Sequence, residues 1–449
     1  MTYSSRSLLS VLGFLFISLV SLPVHAADIQ EVTSSGGIKA WLVEEHSIPI
    51  VSLNVAWRAG SSFDPKGKGG LAHFAASTMD EGSADLDSKA FQEKLSDLAI
   101  QLGFDVGKDS FSGSLKTLSE NTNEAFQLFG NAITQPRFDK EPVERIRGQI
   151  LNSLNQRLSN PNSLAGRGWF RLAFGDQAYS RPSNGTIKTI AAVTHDDLVN
   201  FAKTRLGKDN MVIGVVGDIT AKDLSALLDK TFGGLPEKAD LPTMPPQYLL
   251  DEAAVKIIPQ DIPQSIVTFG GQGVTRDDPD YYAAYVLNYI LGGGGFESRL
   301  TDEIREKRGL VYSIYSYLYP MDEIGLQMGG FGTSNASVKE ALDLTRGVIA
   351  KIRDEGVTDE ELEGAKTYLN GSFPLSLSSN DSIANILVAM QRSHLPIGYL
   401  DQRASLINAV TKDDIKRVAQ RLLDPEKLIV VVVGKPVDLK PVGAGAEKS

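Results

Sequence analysis

Hydrophobic positions along the chain fall into short β-branched and aromatic runs separated by longer amphipathic stretches. Ala40-Trp41-Leu42-Val43 and Ile50 to Trp57 read as strands. Gly60-Ser61-Ser62 and a Pro65-to-Gly70 loop follow, and the next segment, through Met79, has the spacing of a helix. The apolar period then predicts an amphipathic helix over Phe91–Leu102 and a strand over Ser110–Leu118. Helices follow over Asn121–Thr134 and Glu141–Leu158. Thr194 with Asp196-Asp197 supplies an N-cap for a helix running to Leu206. Asn210 to Asp218 is a continuous apolar run, the mark of a buried strand, and Ala221–Thr231 is the next helix.

The second half repeats this plan. Ile50-Val51-Ser52-Leu53 matches Ile266-Val267-Thr268-Phe269 at an offset of 216 residues, and Ala192 to Leu198 matches Ala409 to Ile415 at an offset of 217. Val212 to Gly217 likewise matches Ile429 to Gly434. Separated blocks sharing nearly one offset indicate tandem duplication of an α+β domain of roughly 200 residues. Between the copies, Leu235 to Pro246 holds four prolines, which remove backbone donors and favour an extended linker. The chain thus divides into a first domain over 27–234, a linker over 235–250, a second domain over 251–440 and a small, polar tail over 441–449 expected to be disordered. Residues 1–26 read as a secretory signal peptide: Arg6 is its positive region, Leu8 to Val20 its apolar region, and Ala26 the small residue before the cut. The alternative, an uncleaved anchor, meets an apolar run shorter than the ~20 residues a span needs.

Composition narrows the function classes. A formal charge of −10 argues against a nucleic-acid partner. Cysteine is absent, so the chain has neither a disulfide framework nor a thiol nucleophile. Together with the leader, this points to the bacterial periplasm, with no membrane association after cleavage.

The chemistry concentrates in Gly69-Gly70-Leu71-Ala72-His73-Phe74-Ala75-Ala76-Ser77. On a helix, positions 73, 76 and 77 share one face. That is the spacing of the inverted zinc-peptidase motif His-x-x-Glu-His, in which two imidazoles bind zinc and the carboxylate is the general base. Here His73 remains, Ala76 stands at the carboxylate position and Ser77 at the second imidazole. A catalytic zinc needs three protein ligands and an open position, which one histidine does not supply. Gly292 to Gly295 lack a following Gly-Lys-Ser/Thr, so the run is not a phosphate loop but a place of close backbone approach, at a domain or substrate contact.

These segments, with Leu291 to Leu300 and Ile304-Arg305-Glu306-Lys307-Arg308-Gly309-Leu310-Val311-Tyr312-Ser313, resemble the pitrilysin/insulinase family of inverted zinc peptidases, specifically its short two-domain branch. The resemblance implies two homologous domains, each a mainly antiparallel sheet flanked by helices, together forming half of a clamshell. It places a third zinc ligand, a Glu in active members, at Ser153, with Asn152 as the alternative alignment. His73 then reads as a helix histidine packed near Phe74, and no metal ligand set remains in this chain. Leu300, Ile304 and Arg308 follow helical spacing, with Gly309 as its C-cap and a strand over Val311–Leu318. In the family an Arg and a Tyr spaced like Arg305 and Tyr312 face the zinc helix, contact the substrate backbone and stabilise the oxyanion. The simpler alternative pairs Arg305 with Asp302 or Glu306 and leaves Tyr312 a core strand residue.

The implied role is a non-catalytic subunit of a heterodimeric periplasmic zinc peptidase. It carries no cofactor itself, pairs with a catalytic homologue that has an intact motif and holds the zinc, lines the substrate chamber with Gly292, Gly293, Gly294 and Gly295, and encloses unfolded peptides. A stand-alone peptide-binding or assembly scaffold, as a homodimer, is the competing expectation. A self-sufficient peptidase with relocated ligands lacks any suitably spaced His/Glu cluster.

Overall fold

A computed structural model describes residues 28–446; the leader expected over 1–26 lies outside the described residues. The first sheet contains β1 (Gln30–Thr33), β2 (Lys39–Glu44), β3 (Ile50–Trp57), β4 (Gln101–Val106), β5 (Phe111–Leu118) and β6 (Met211–Gly217), in the order β1-β2-β6-β3-β5-β4. The second contains β7 (Ala254–Ile258), β8 (Gln264–Gln272), β9 (Val311–Pro320), β10 (Gly325–Ser334) and β11 (Ile429–Val433), in the order β7-β11-β8-β10-β9. With β1 set aside, the two sheets have one topology. Each is antiparallel except for one parallel pair, β2 with β6 and β7 with β11. The molecule is α+β, two copies of one sheet-and-helix domain, the architecture of half a clamshell.

The duplication extends to an exchange of helices. Helix Pro161–Phe174 follows the first domain's long helix in sequence but packs on β11 and β8 of the second sheet. Its Trp169 is fully buried with Phe174, Met328, Ile429 and Val431, and Trp169 Nε1 donates to the Ile429 carbonyl at 3.1 Å. Reciprocally, helix Asn380–Arg392 packs on β6 and β3, burying Ala384, Leu387 and Met390 against Trp41, Val43 and Val216. Gln391 Nε2 donates to the Ile213 carbonyl at 2.8 Å. A glycine makes room at each contact, on the helix in one case and on the strand in the other. A Cβ on Gly168 of the first helix would lie 3.1 Å from Val431, whereas a Cβ on Gly214 of β6 would lie 2.9 Å from Leu387.

This exchange explains the continuous apolar runs. β6 and β11 sit mid-sheet with own-domain helices on one face and the other domain's helix on the second, so Val431 is as buried as Val430 and Val432. β5 is not covered in this way, and its residues alternate between buried and more open.

Two local expectations need correction. The helix expected over Phe91–Leu102 is Ser88–Asp97, because the chain turns at Ala99, whose φ of +51° is left-handed. Leu102 instead pairs with Leu115 across β4 and β5. In the tail, Val442 exchanges two backbone hydrogen bonds with Val255, at 3.0 and 3.1 Å, so order continues past 441. Residues 236–253 carry neither helix nor strand.

Candidate functional site

The segment bearing the altered zinc motif forms a short helix, Leu71–Ala76, with Ser77 as its C-cap. Asp64 holds its N-terminus: the carboxylate accepts from Gly70 N at 2.7 Å and Ala72 N at 3.0 Å. Burial nevertheless pushes the Asp64 carboxyl up to about 7, against those two donors and the nearby Arg181 and Arg205. Gly70 has φ +90°, and a Cβ there would come within 2.9 Å of the Asn184 backbone, so glycine permits this approach. Across from the short helix lies Lys140–Arg157, tied to it by Arg147 over the Phe74 ring at 4.8 Å.

Between the two helices is a cavity of about 180 Å³ lined by His73, Ser77, Gln149, Ser153, Asn184 and apolar Ile146, Ile150 and Leu154. The structure therefore brings His73, Ser77 and Ser153 to one cavity. Ala76 is buried in the core instead, and Asn152 is exposed and absent from the lining. The His73 imidazole titrates below its ordinary range, chiefly through burial, with Asp105 opposing the shift and Arg157 adding to it. Ser77 Oγ donates to the His73 carbonyl at 2.9 Å.

These residues do not fit a catalytic zinc ion. One imidazole and two neutral hydroxyls replace the nitrogen and carboxylate donors such a site requires. Among the described residues no group of three or more His, Cys, Asp or Glu is placed to hold a metal.

Arg305 and Tyr312 lie in the second domain. Arg305 belongs to a π-helical turn, Thr301–Glu306, wider than the α-helix its spacing suggests. Leu300 and Ile304 are buried as expected, but Arg308 leaves that face to bond Glu303 at 2.8 Å. Gly309 caps the turn with φ +63°. Tyr312 follows on β9, the sheet's edge strand, where three steps from Val311 to Ile314 oppose two on β10. This bulge re-aims the side chain, and Tyr312 is 87% exposed rather than a core residue.

The Arg305 guanidinium stands 6.0 Å from the Tyr312 ring centroid, so the corner does bring the pair together. It also pairs with Glu306 at 2.8 Å. Two contributors went unassigned in the sequence. Phe296, 67% exposed, stacks on Arg305 at 4.6 Å, and its place beside a glycine run was the available signal. Arg299 makes a bidentate bond to Glu361, at 2.5 and 2.7 Å, which anchors the start of the turn. In the glycine run, a Cβ on Gly292 would lie 2.7 Å from Ser316 N, and Gly295 has φ +58°. The run thus lets this loop press against β9.

Comparison with known proteins gives a consistent picture. Residues 40–186 match the family described as Insulinase (Peptidase family M16), and residues 192–369 match the one described as Peptidase M16 inactive domain. A protein named non-peptidase homolog YmxG, from Helicobacter pylori, is 27% identical over 378 residues, 84% of this chain and 86% of that protein. The crystal structure of a peptidase M16 inactive domain from Pseudomonas fluorescens superposes with a TM-score of 0.86 at 31% identity, over 92% of this chain and 100% of that one. The periplasmic protease PqqL from Escherichia coli shares the fold at 17% identity and a TM-score of 0.78, with 92% of this chain matching 46% of that one.

Proposed function

Because the chain belongs to the insulinase (M16) family of peptidases, as a member without the residues of the peptidase zinc site, we propose that it is the non-catalytic subunit of a heterodimeric periplasmic zinc endopeptidase. In this reading a homologous partner with an intact motif holds the zinc, and the two subunits enclose unfolded peptides. The observation that carries the reading is the Arg305–Tyr312 corner: a half-buried cation from the π-helical turn beside an exposed phenol on a bulged edge strand, in a chain whose own zinc cleft has lost its ligands. Tyr312, 87% exposed, is not held in place by core packing. That this chain matches about half of the PqqL chain also suits a subunit that is half of a closed assembly.

The chemistry assigned to this chain is donation. As a peptide carbonyl becomes tetrahedral its oxygen gains negative charge, and the Tyr312 O–H and the Arg305 N–H groups are preorganised donors for that oxygen or for the adjacent backbone. Phe296 and Tyr312 restrict the guanidinium between two rings, which limits the reorganisation needed during reaction.

In the purified complex, Tyr312→Phe keeps the ring and removes only the donor. It should lower kcat by roughly 10²-fold with little change in KM, and Arg305→Ala should do the same or more. Full activity in both variants contradicts the proposal.

A further inference from the structure

A second cavity, of about 210 Å³, adjoins the His73 cleft and shares Leu154 and Asn184 with it. Three cations line it, Lys108, Arg157 and Arg167, and no carboxylate does. In a chain of net charge −10 that is a local inversion of sign. The three come from different elements: the β4–β5 turn, the last turn of helix Lys140–Arg157, and the exchanged helix Pro161–Phe174.

Two of them partly serve the frame. Lys108 donates to the Tyr179 and Arg181 carbonyls, at 2.9 and 2.5 Å, and Arg167 donates to the Ser163 and Arg157 carbonyls, at 3.3 and 3.0 Å. None of these contacts neutralises a charge. The Arg157 guanidinium, the Ser183 hydroxyl and the Asn184 amide make no side-chain hydrogen bond to the rest of the described chain and face the same cavity. Burial disfavours the Lys108 ammonium and pushes it down to about 8, with the neighbouring Asp109 opposing the shift and Arg181 adding to it. Lys108 is buried, Arg167 half-buried and Arg157 exposed; three cations gathered at one cavity with no carboxylate in its lining repel one another, and an anion relieves them.

We propose that this cavity binds a carboxylate of the enclosed peptide, its C-terminus or an acidic side chain, seated on Arg157 and Arg167 with Ser183 and Asn184 as neutral donors. Planar guanidinium forks match a carboxylate in geometry, and the shared wall with the His73 cleft lets one extended chain reach both. The inference rests on the peptide-enclosing reading above, and adds to it a preference for acidic or C-terminal segments.

The test uses the mature protein as purified, with any companion, and fluorescence anisotropy of three short unstructured peptides. One ends in a free carboxylate, one is the same sequence amidated, and one is amidated with a Glu near its end. The free acid, the Glu peptide or both should bind about tenfold tighter than the plain amide, and whichever gains identifies the source of the carboxylate. Arg157→Gln, which removes no structural hydrogen bond, should erase that difference. Equal binding of all three overturns the carboxylate site while leaving peptide enclosure intact. Binding of none overturns both. Inorganic phosphate that binds at this cavity, by loss in Arg157→Gln, without displacing the peptides also overturns the assignment.

Discussion

At positions 77 and 153 hydroxyls stand where an imidazole and a carboxylate would join His73 in a metal site, and the cavity around them persists. Ile146, Ile150 and Leu154 pack one wall, Asp64 fixes the start of the short helix, and burial disfavours the charged form of His73. The loss is therefore one of donors, not of frame. Ser77→His with Ser153→Glu should give a protein that retains one zinc per chain through gel filtration, measured by metal analysis, while the unaltered chain retains none. A double variant that folds yet binds no zinc would show that the frame has drifted too. The His73–Ser77 spacing was legible in the sequence because four residues is one helical turn. The third position was less so, since Asn152 and Ser153 differ only in which side of an amphipathic helix they occupy. Arg157, Lys108 and Arg167 gave no signal, because only the fold makes residues from three elements neighbours.

At the scale of elements, the exchanged helices carry the association of the two domains. Their sequences, Pro161–Phe174 and Asn380–Arg392, show where a helix begins, through the caps at Asn160 and Ser379, but not which sheet receives it. A local pattern specifies a buried face without naming the surface that buries it. The mid-strand run Ile429–Val433 did report the result, since five consecutive buried positions require cover on both faces. Trp169→Ala removes a fully buried ring and the bond to the Ile429 carbonyl, so it should destabilise the protein by about 3–5 kcal/mol in denaturant unfolding. Leu375→Ala, at a residue 75% exposed, should change stability by less than about 0.5 kcal/mol. A small effect at Trp169 would mean that the exchanged helix is not an energetic link between the domains. The wide turn at Thr301–Glu306 shows a further limit of pattern reading: a π-helical turn keeps Leu300 and Ile304 inside, as an α-helix would, but moves Arg308 off that face.

For the molecule as a whole, polar contacts reinforce the exchange. Asp381 accepts from Ser52 at 2.6 Å and Lys116 at 2.8 Å. At the opposite tips, buried Tyr179 donates to Asp109 at 2.7 Å and accepts from Glu323 N at 3.2 Å, while Arg58 pairs with Asp322 and Glu323 at 3.0 and 2.9 Å. The duplication, and hence the architecture, was readable from three matched blocks; the way each copy completes the other was not. A two-domain body whose own zinc cleft lacks ligands, with an exposed Tyr312 beside Arg305, fits the proposed role as one half of a two-subunit peptidase. The most direct measurement is native purification of the tagged mature protein, with its companion identified and quantified. The account predicts an equimolar partner of similar size with an intact His-x-x-Glu-His helix and bound zinc. A homodimer or a lone chain, free of zinc and of any such companion, would contradict it.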